Sequence, residues 1–391
     1  MSTPSSQSWP HFDEIQIEAV AELLRSGKVN AWTGADVRSF EDEYAEALNV
    51  KHAVAFANGS VSINTALAAL KLAPGDEVIV TPRSFVASAS CVLLFGAIPV
   101  FADIDPDSGN LTPETIRACI TPRTKGIIPV HLGGWPCDMP GIMELAAEHK
   151  LWVIEDCAQA HGALINGHPV GTYGDFGSFS FCQDKILTTG GEGGLLVTNN
   201  TELWKFAWSY KDHGKDYDRV FATDHPPGFR WLHTHLGTNL RMTGISAALG
   251  RIQLRRLPEW QSVRARNAHI LAQAFSNCPV LRTPMPAPNL THAWYRFYTY
   301  VRPEKLAEGW SRDRIMTEIQ AAGFPVFSGS CPEIYLEAVF PEAIRPKARL
   351  PVARDLGETS LAFLVDPTWS ENEIRALVQA ALPILEASGK H

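Results

Sequence analysis

Lys185 closes the segment Gly177-Ser178-Phe179-Ser180-Phe181-Cys182-Gln183-Asp184-Lys185 and opens onto Ile186-Leu187-Thr188-Thr189-Gly190-Gly191-Glu192-Gly193-Gly194. A lysine between an apolar strand and a glycine-rich loop is not placed for solubility, although read alone it is also a surface loop lysine. Upstream, Val153-Ile154-Glu155-Asp156 ends another apolar run on a carboxylate. An amine and a strand-end aspartate are the two groups needed to hold pyridoxal phosphate, the first through a Schiff base and the second at the ring nitrogen. A carboxylate and a pyridinium about 4 Å apart, at an effective dielectric near 20, attract by roughly 4 kcal/mol, which keeps the ring cationic.

Other strand ends carry residues that suit the same chemistry. Phe56-Ala57-Asn58-Gly59-Ser60 follows one apolar run and opens a helix. There Gly59 permits a tight turn, Ser60 offers a hydroxyl, and the free N–H groups of the helix start favour a phosphate. Read alone, this is also an ordinary strand–helix turn capped by serine. Phe85, in Thr81-Pro82-Arg83-Ser84-Phe85, has a ring that could stack on a flat heterocycle, or could equally fill a core. Asp156 alone could cap a helix. Gln159 could reach the cofactor's ring hydroxyl or the substrate, whereas His131 and His161 read as supporting groups. Ser180, five residues before Lys185, could donate its hydroxyl to the phosphate. Asn239, in Gly237-Thr238-Asn239-Leu240-Arg241, reads most simply as a helix or turn residue. The joint order of phosphate turn, aromatic, aspartate, serine and lysine carries more weight than any one of them.

The elements that must position these residues alternate. Strand-length apolar runs occur at Ala53–Ala57, Val78–Val80, Val100–Ala102, Gly126–Val130, Trp152–Ile154, Gly177–Phe181 and Leu195–Val197. Helical segments fill gaps at Ser60–Leu72, Phe85–Phe95, Pro113–Ile120 and Asp138–His149. Alternation of this kind predicts an α/β fold with a mostly parallel sheet covered by helices, its ligands at the carboxyl ends of the strands. Beyond Leu257 the pattern changes. Pro258 is expected to break it, and a helix (Arg264–Phe275), a strand (Tyr295–Val301), a helix (Ser311–Ala322), a loop-rich stretch (325–351) and a final helix (Glu371–Ala387) follow. The expected division is a large domain over 1–257, with an N-terminal helical segment, and a smaller α/β domain over 258–391.

The composition narrows the function. The chain has 391 residues, 45% of them hydrophobic and 19% charged, which suits a large core or an obligate interface. A net charge of −8 gives no electrostatic case for nucleic acid or anionic membranes. Seven scattered cysteines without a C-x-x-C pair point to reduced thiols and to no metal site. Met1 to Gln16 is polar and lacks the apolar centre of a signal peptide, and no stretch approaches a membrane span, so a cytoplasmic protein is expected.

With these residues in place, the chain resembles the DegT/StrS family of sugar aminotransferases, which are fold-type-I enzymes dependent on pyridoxal phosphate. The resemblance rests on Ala57-Asn58-Gly59-Ser60, Gly96–Asp105, Val130–Met139, Ile154–Ala163, Phe179 to Lys185 and Asn239-Leu240-Arg241-Met242. It implies a large domain with a seven-stranded, mostly parallel sheet and a smaller C-terminal α/β domain. It also implies that Lys185 carries the cofactor, Asp156 meets its ring nitrogen, Phe85 stacks on the ring, and Gly59, Ser60 and Ser180 hold the phosphate. Gln159 would lie near the ring hydroxyl. Asn239 would reach the cofactor of a neighbouring subunit, making the protein a homodimer with shared sites.

Family members that act as sugar dehydratases carry histidine in place of the lysine, so Lys185 favours amino transfer. The expected reaction is ping-pong, from L-glutamate to a nucleotide-linked keto sugar, for surface glycan or antibiotic assembly. Alternatives are a keto-cyclitol aminotransferase, a sugar dehydratase, or a non-catalytic regulatory protein on the same fold. The family's C-terminal segment often supplies a histidine to the substrate pocket, but Phe327–Tyr335 contains none. Asp216–His235, rich in aromatic residues, histidine and proline, is expected to form part of the substrate wall.

Overall fold

The computed structural model describes residues 8–390. Part of the leader region considered above, Met1–Gln7, lies outside them. Two helices, α1 (Glu14–Ser26) and α2 (Asp36–Leu48), precede the alternating region. That region runs β1 (His52–Phe56), α3 (Gly59–Ala69), β2 (Glu77–Val80), α4 (Ala87–Leu93), β3 (Ile98–Phe101), α5 (Pro113–Arg117), β4 (Thr124–Ile128), α6 (Met139–His149) and β5 (Trp152–Asp156). Two short strands follow, β6 (Leu164–Ile165) and β7 (His168–Pro169), then β8 (Phe176–Ser180) and β9 (Gly194–Thr198).

The large sheet has seven strands in the order β1-β9-β8-β5-β4-β2-β3. Only β9 runs against its neighbours; the pairs from β8 to β3 are parallel. Every strand is one of the apolar runs anticipated above. Alternate side chains feed two different cores, as a period of two requires. Ile79, Ile127, Val153, Leu195 and Val197 join Phe40 and Phe179 on one face. Val78, Val80, Ile128, Ile154 and Leu196 pack on the other. Burial on both faces is what makes the runs continuously apolar. Polar residues set where the helices begin. Asn58 caps α3, Thr112 forms a capping box ahead of Pro113 in α5, and Asp138 caps α6.

After α7 (Thr201–Tyr210) and α8 (Tyr217–Phe221), one helix of 32 residues, α9 (Gly244–Phe275), leaves the large sheet and reaches the small one. The break expected at Pro258 does not occur, so a division of the chain at 257/258 falls inside this helix. Packing on both sides overrides the single lost N–H. A second sheet holds β10 (Leu281–Arg282), β12 (Phe297–Val301), β13 (Val326–Phe327) and β14 (Ser360–Phe363) in the order β10-β12-β14-β13. The intervening β11 (Leu290–Thr291) pairs instead with β6. Helices α10 (Arg312–Ala321), α11 (Pro351–Thr359) and α12 (Glu371–Ala387) complete the chain. Phe275, Phe297, Ile315, Phe363 and Leu377 share the third core. Both α11 and β14 were unforeseen.

All seven cysteines are free. No helix among the described residues is long and apolar enough to cross a membrane.

One buried carboxyl group secures the turn behind the site. Glu155 accepts from the backbone N–H groups of Gly171 (2.8 Å), Tyr173 (2.8 Å) and Gly174 (2.9 Å), and from His131 Nε2 (3.2 Å). His131 Nδ1 accepts from Cys137 N at 2.9 Å, so the proton sits on Nε2. Cys157 approaches the same pair, but burial, with Glu155 close by, pushes its thiol pKa well up and keeps it protonated. The substitution Glu155→Ala leaves the three backbone donors without their acceptor. It is expected to cost at least about 3 kcal/mol, read as a lower denaturant midpoint at unchanged slope.

Candidate active site

The carboxyl ends of the parallel strands open into a cavity of about 550 Å³. Its walls include Gly59, Ser60, Phe85, Asp156, Gln159, Ser180 and Lys185, so seven of the eight residues singled out in the sequence meet in one place. A second hollow of about 490 Å³ shares Phe85, Gln159 and Lys185 with the first and extends to Tyr295, Tyr298 and Ser330.

The lysine is held from several sides. Its backbone closes a turn onto Cys182 O (3.0 Å), and Gln183 N donates to Gly191 O (2.9 Å), folding the glycine-rich loop back on the turn. Gly191 has φ +121°, a conformation side chains rarely allow. Trp9 Nε1 donates to Lys185 O at 2.8 Å. Lys185 Nζ lies 3.5 Å from Asp184 Oδ1 and 5.1 Å from the centre of the Tyr295 ring. The Tyr295 hydroxyl donates to Asp184 Oδ2. Burial disfavours the Lys185 ammonium, but Tyr295, Asp184 and Cys182 outweigh it and leave the amine's pKa above the ordinary lysine value. Burial likewise opposes ionisation of Asp184, yet Lys185 and the Tyr295 hydroxyl bring its pKa below the usual range.

Asp156, at the end of β5, is buried. Its Oδ2 accepts from Ser88 Oγ (2.7 Å) and its Oδ1 from Ala158 N (3.1 Å). Ser88 in turn bonds Ser84 Oγ at 2.9 Å. A carboxylate has about four acceptor positions, so capacity remains toward the cavity. Gln159 commits its oxygen to Gly133 N (2.6 Å), which turns its amide nitrogen toward Ser330 Oγ at 3.5 Å. Phe85 is 67% exposed, which rules out the core reading and leaves its ring available at the cavity mouth.

At the start of α3 the cap is Asn58, accepting from Val61 N (3.0 Å), rather than a serine. Gly59 and Ser60 lie in the first turn, whose N–H groups have no intrahelical acceptors. A Cβ on Gly59 would meet Ser180 Cβ at 2.9 Å and Ser180 Oγ at 3.2 Å, so only glycine leaves this cradle open. An anion cradle, a buried carboxyl, an exposed ring and an amine around one cavity fit pyridoxal phosphate.

Comparison with known proteins shows the family of the chain as a whole. Residues 10–381 match the DegT/DnrJ/EryC1/StrS aminotransferase family. The chain belongs to that family. Its aminotransferases depend on pyridoxal phosphate. A solved aminotransferase from Psychrobacter cryohalolentis is 52% identical, with a TM-score of 0.96 over 97% of this chain and 98% of that one. A GDP-perosamine synthase of Caulobacter vibrioides is 38% identical over 323 residues, 81% of this chain and 83% of the relative. A UDP-N-acetyl-3-dehydro-alpha-D-glucosamine 3-aminotransferase of Acidithiobacillus ferrooxidans is 37% identical over 341 residues, 87% and 86% of the two chains.

Other residues of this aminotransferase fall elsewhere. Asn239 is exposed, pairs across an isolated bridge with Asp212 and does not line the cavity of its own chain. The wall expected from Asp216–His235 is not found there either. Residues 219–232 instead surround a separate hollow of the same chain, with Phe229 and Trp231 exposed. The histidine-free stretch does reach the site, through Phe327, Gly329, Ser330 and Cys331. Sequence reasoning missed Ser84, Ser88, Asp184 and Tyr295. The first two were legible as hydroxyls four apart after β2, and Asp184 as the neighbour of Lys185. Tyr295 lies just ahead of β12 in the chain, and nothing local in the sequence tied it to Lys185.

His161 supports the site from behind. Its Nε2 donates to Ser180 O (2.8 Å) and its Nδ1 accepts from the Tyr44 hydroxyl (2.8 Å). Burial lowers its pKa from 6.5 to about 4. The unfolded chain therefore takes up this proton first, and the contribution of neutral His161 is lost as pH falls from about 6.5 through about 4. A His161→Gln variant should be less stable than the parent at pH 7, with the gap narrowing toward pH 4.5 when melting temperature is followed against pH. Parallel curves would refute the assignment.

Proposed function

We propose that this aminotransferase moves an amino group from L-glutamate to the keto group of a nucleotide-linked deoxy sugar, acting as a cytoplasmic homodimer. The observation that carries this reading is an amine, Lys185, sharing one cavity with the buried carboxyl of Asp156. The two curated relatives above, named for a GDP-linked and a UDP-linked amino sugar, support the acceptor class. When bound, pyridoxal phosphate supplies an electron-accepting ring that stabilises negative charge at the carbon losing a proton.

Lys185 is the residue that holds the cofactor and, when released, moves the proton at the Cα of the donor. Asp184 and Tyr295 hold its amine whenever it is charged. Asp156, oriented by Ser88, keeps a proton on the ring nitrogen. Phe85 would cover the ring face, Gln159 would lie near the ring hydroxyl, and Gly59, Ser60 and Ser180 would hold the phosphate at the start of α3, where the helix dipole favours an anion. Asn239 serves the neighbouring subunit, in keeping with its place outside its own cavity. A histidine at position 185 could not link to the cofactor, so the lysine favours amino transfer over dehydration.

The test is product formation from L-glutamate against a panel of UDP-, GDP- and dTDP-linked keto sugars, read by mass spectrometry. Formation of 2-oxoglutarate together with one aminated sugar is expected. Lys185→Ala should lower both half-reactions by about 1,000-fold or more while leaving the circular dichroism spectrum unchanged. If the parent protein consumes no glutamate and aminates no sugar, the reading fails.

A further inference from the structure

We infer that Arg296 is the anchor for the carboxylate of the amino donor; this rests on the reading of the Lys185 cavity given above. Arg296 immediately precedes β12 and lines the hollow that opens from Lys185. Its guanidinium carbon lies 4.2 Å from the centre of the Tyr295 ring, and Lys185 Nζ lies 5.1 Å from the same centre. The guanidinium and the reactive amine therefore share one aromatic ring.

The charge of Arg296 helps lower the pKa of Asp184, but no direct ion pair neutralises it among the described residues. Nη1 donates to Tyr295 O at 3.0 Å, and Arg296 enters no ion pair among the described residues. Nearby carboxylates are engaged with other groups. Asp184 takes the Tyr295 hydroxyl and lies beside Lys185. Asp366 accepts from Thr368 N (3.1 Å) and Thr368 Oγ1 (2.5 Å). Glu373 bonds Ser370 at the start of α12. A half-buried guanidinium with donors to spare is suited to a carboxylate, which it can grip through two parallel bonds.

The position selects the donor over the acceptor. An amino acid carries a carboxylate on the very carbon that bears its amino group, so a cation close to Lys185 can bind it while the amine reacts. The fixed charge of a nucleotide sugar is its diphosphate, several bonds from the ketone.

Two readouts test this, one of them independent of catalysis. In the cofactor-free protein, glutarate binding is measured by calorimetry for the parent, Arg296→Gln and Arg296→Lys. In the loaded enzyme, KM for L-glutamate and for the keto sugar are measured separately. Arg296→Gln should weaken glutarate binding and raise the glutamate KM by about tenfold or more, the loss of one charge-assisted hydrogen bond. The keto-sugar KM and kcat at saturating glutamate should stay within about twofold and threefold respectively, below the tenfold that one such bond represents. Arg296→Lys should recover part of the loss. The inference is overturned if glutarate binding and glutamate KM are unchanged, if the parent protein does not bind glutarate, or if only the keto-sugar KM rises. A parent enzyme that transaminates beside an unaffected Arg296→Gln variant sinks this inference alone. A parent that does not accept glutamate sinks the functional reading beneath it.

Discussion

A single amine, largely withdrawn from water, sets the demands on the rest of the chain. Burying an ammonium is costly unless opposite charge and hydrogen-bonding groups surround it. Here Asp184 and Tyr295 do so, and they come from different parts of the fold. Asp184 belongs to the loop after β8 in the large sheet, whereas Tyr295 stands just ahead of β12 in the small one. Trp9, from the segment before α1, adds a hydrogen bond to the lysine's own carbonyl. Lys185 is therefore held where three separate stretches of chain converge. The long helix α9, which contributes to the cores of both sheets, links the parts that meet there.

The same logic explains why the groups proposed to hold the cofactor lie where they do. Strands β1, β2, β5 and β8 run in one direction, so the turns that follow them collect along one edge. That edge brings together a helix start for an anion, a serine pair behind an aspartate, and the lysine loop. No individual residue is unusual; the parallel order makes them neighbours.

Much of this was legible from residue order. Continuous apolar runs marked all seven strands because both faces of the sheet are covered. The starts expected for α5 at Pro113 and for α12 at Glu371 are the ones found. What escaped depended on contacts distant in sequence. Pro258 looks like a terminator, yet α9 passes through it because packing on both sides holds the helix. Helix α11 and strand β14 fall after a loop-rich stretch without clear periodicity. Tyr295 and Arg296 read as part of a strand, and only the approach of the small sheet to Lys185 brings them to the reactive amine. Phe85 was ambiguous until its exposure placed it at the cavity mouth. The aromatic stretch after α8 drew attention by composition alone, and composition does not say which way a segment folds.

The central claim is that Lys185 Nζ is the amine to which pyridoxal phosphate attaches. The most direct measurement loads the purified protein with the cofactor, reduces it with borohydride and maps the modified peptide by mass spectrometry. The account predicts one modified peptide, with the added mass on Lys185. Modification of a different lysine, or none at all, would contradict it.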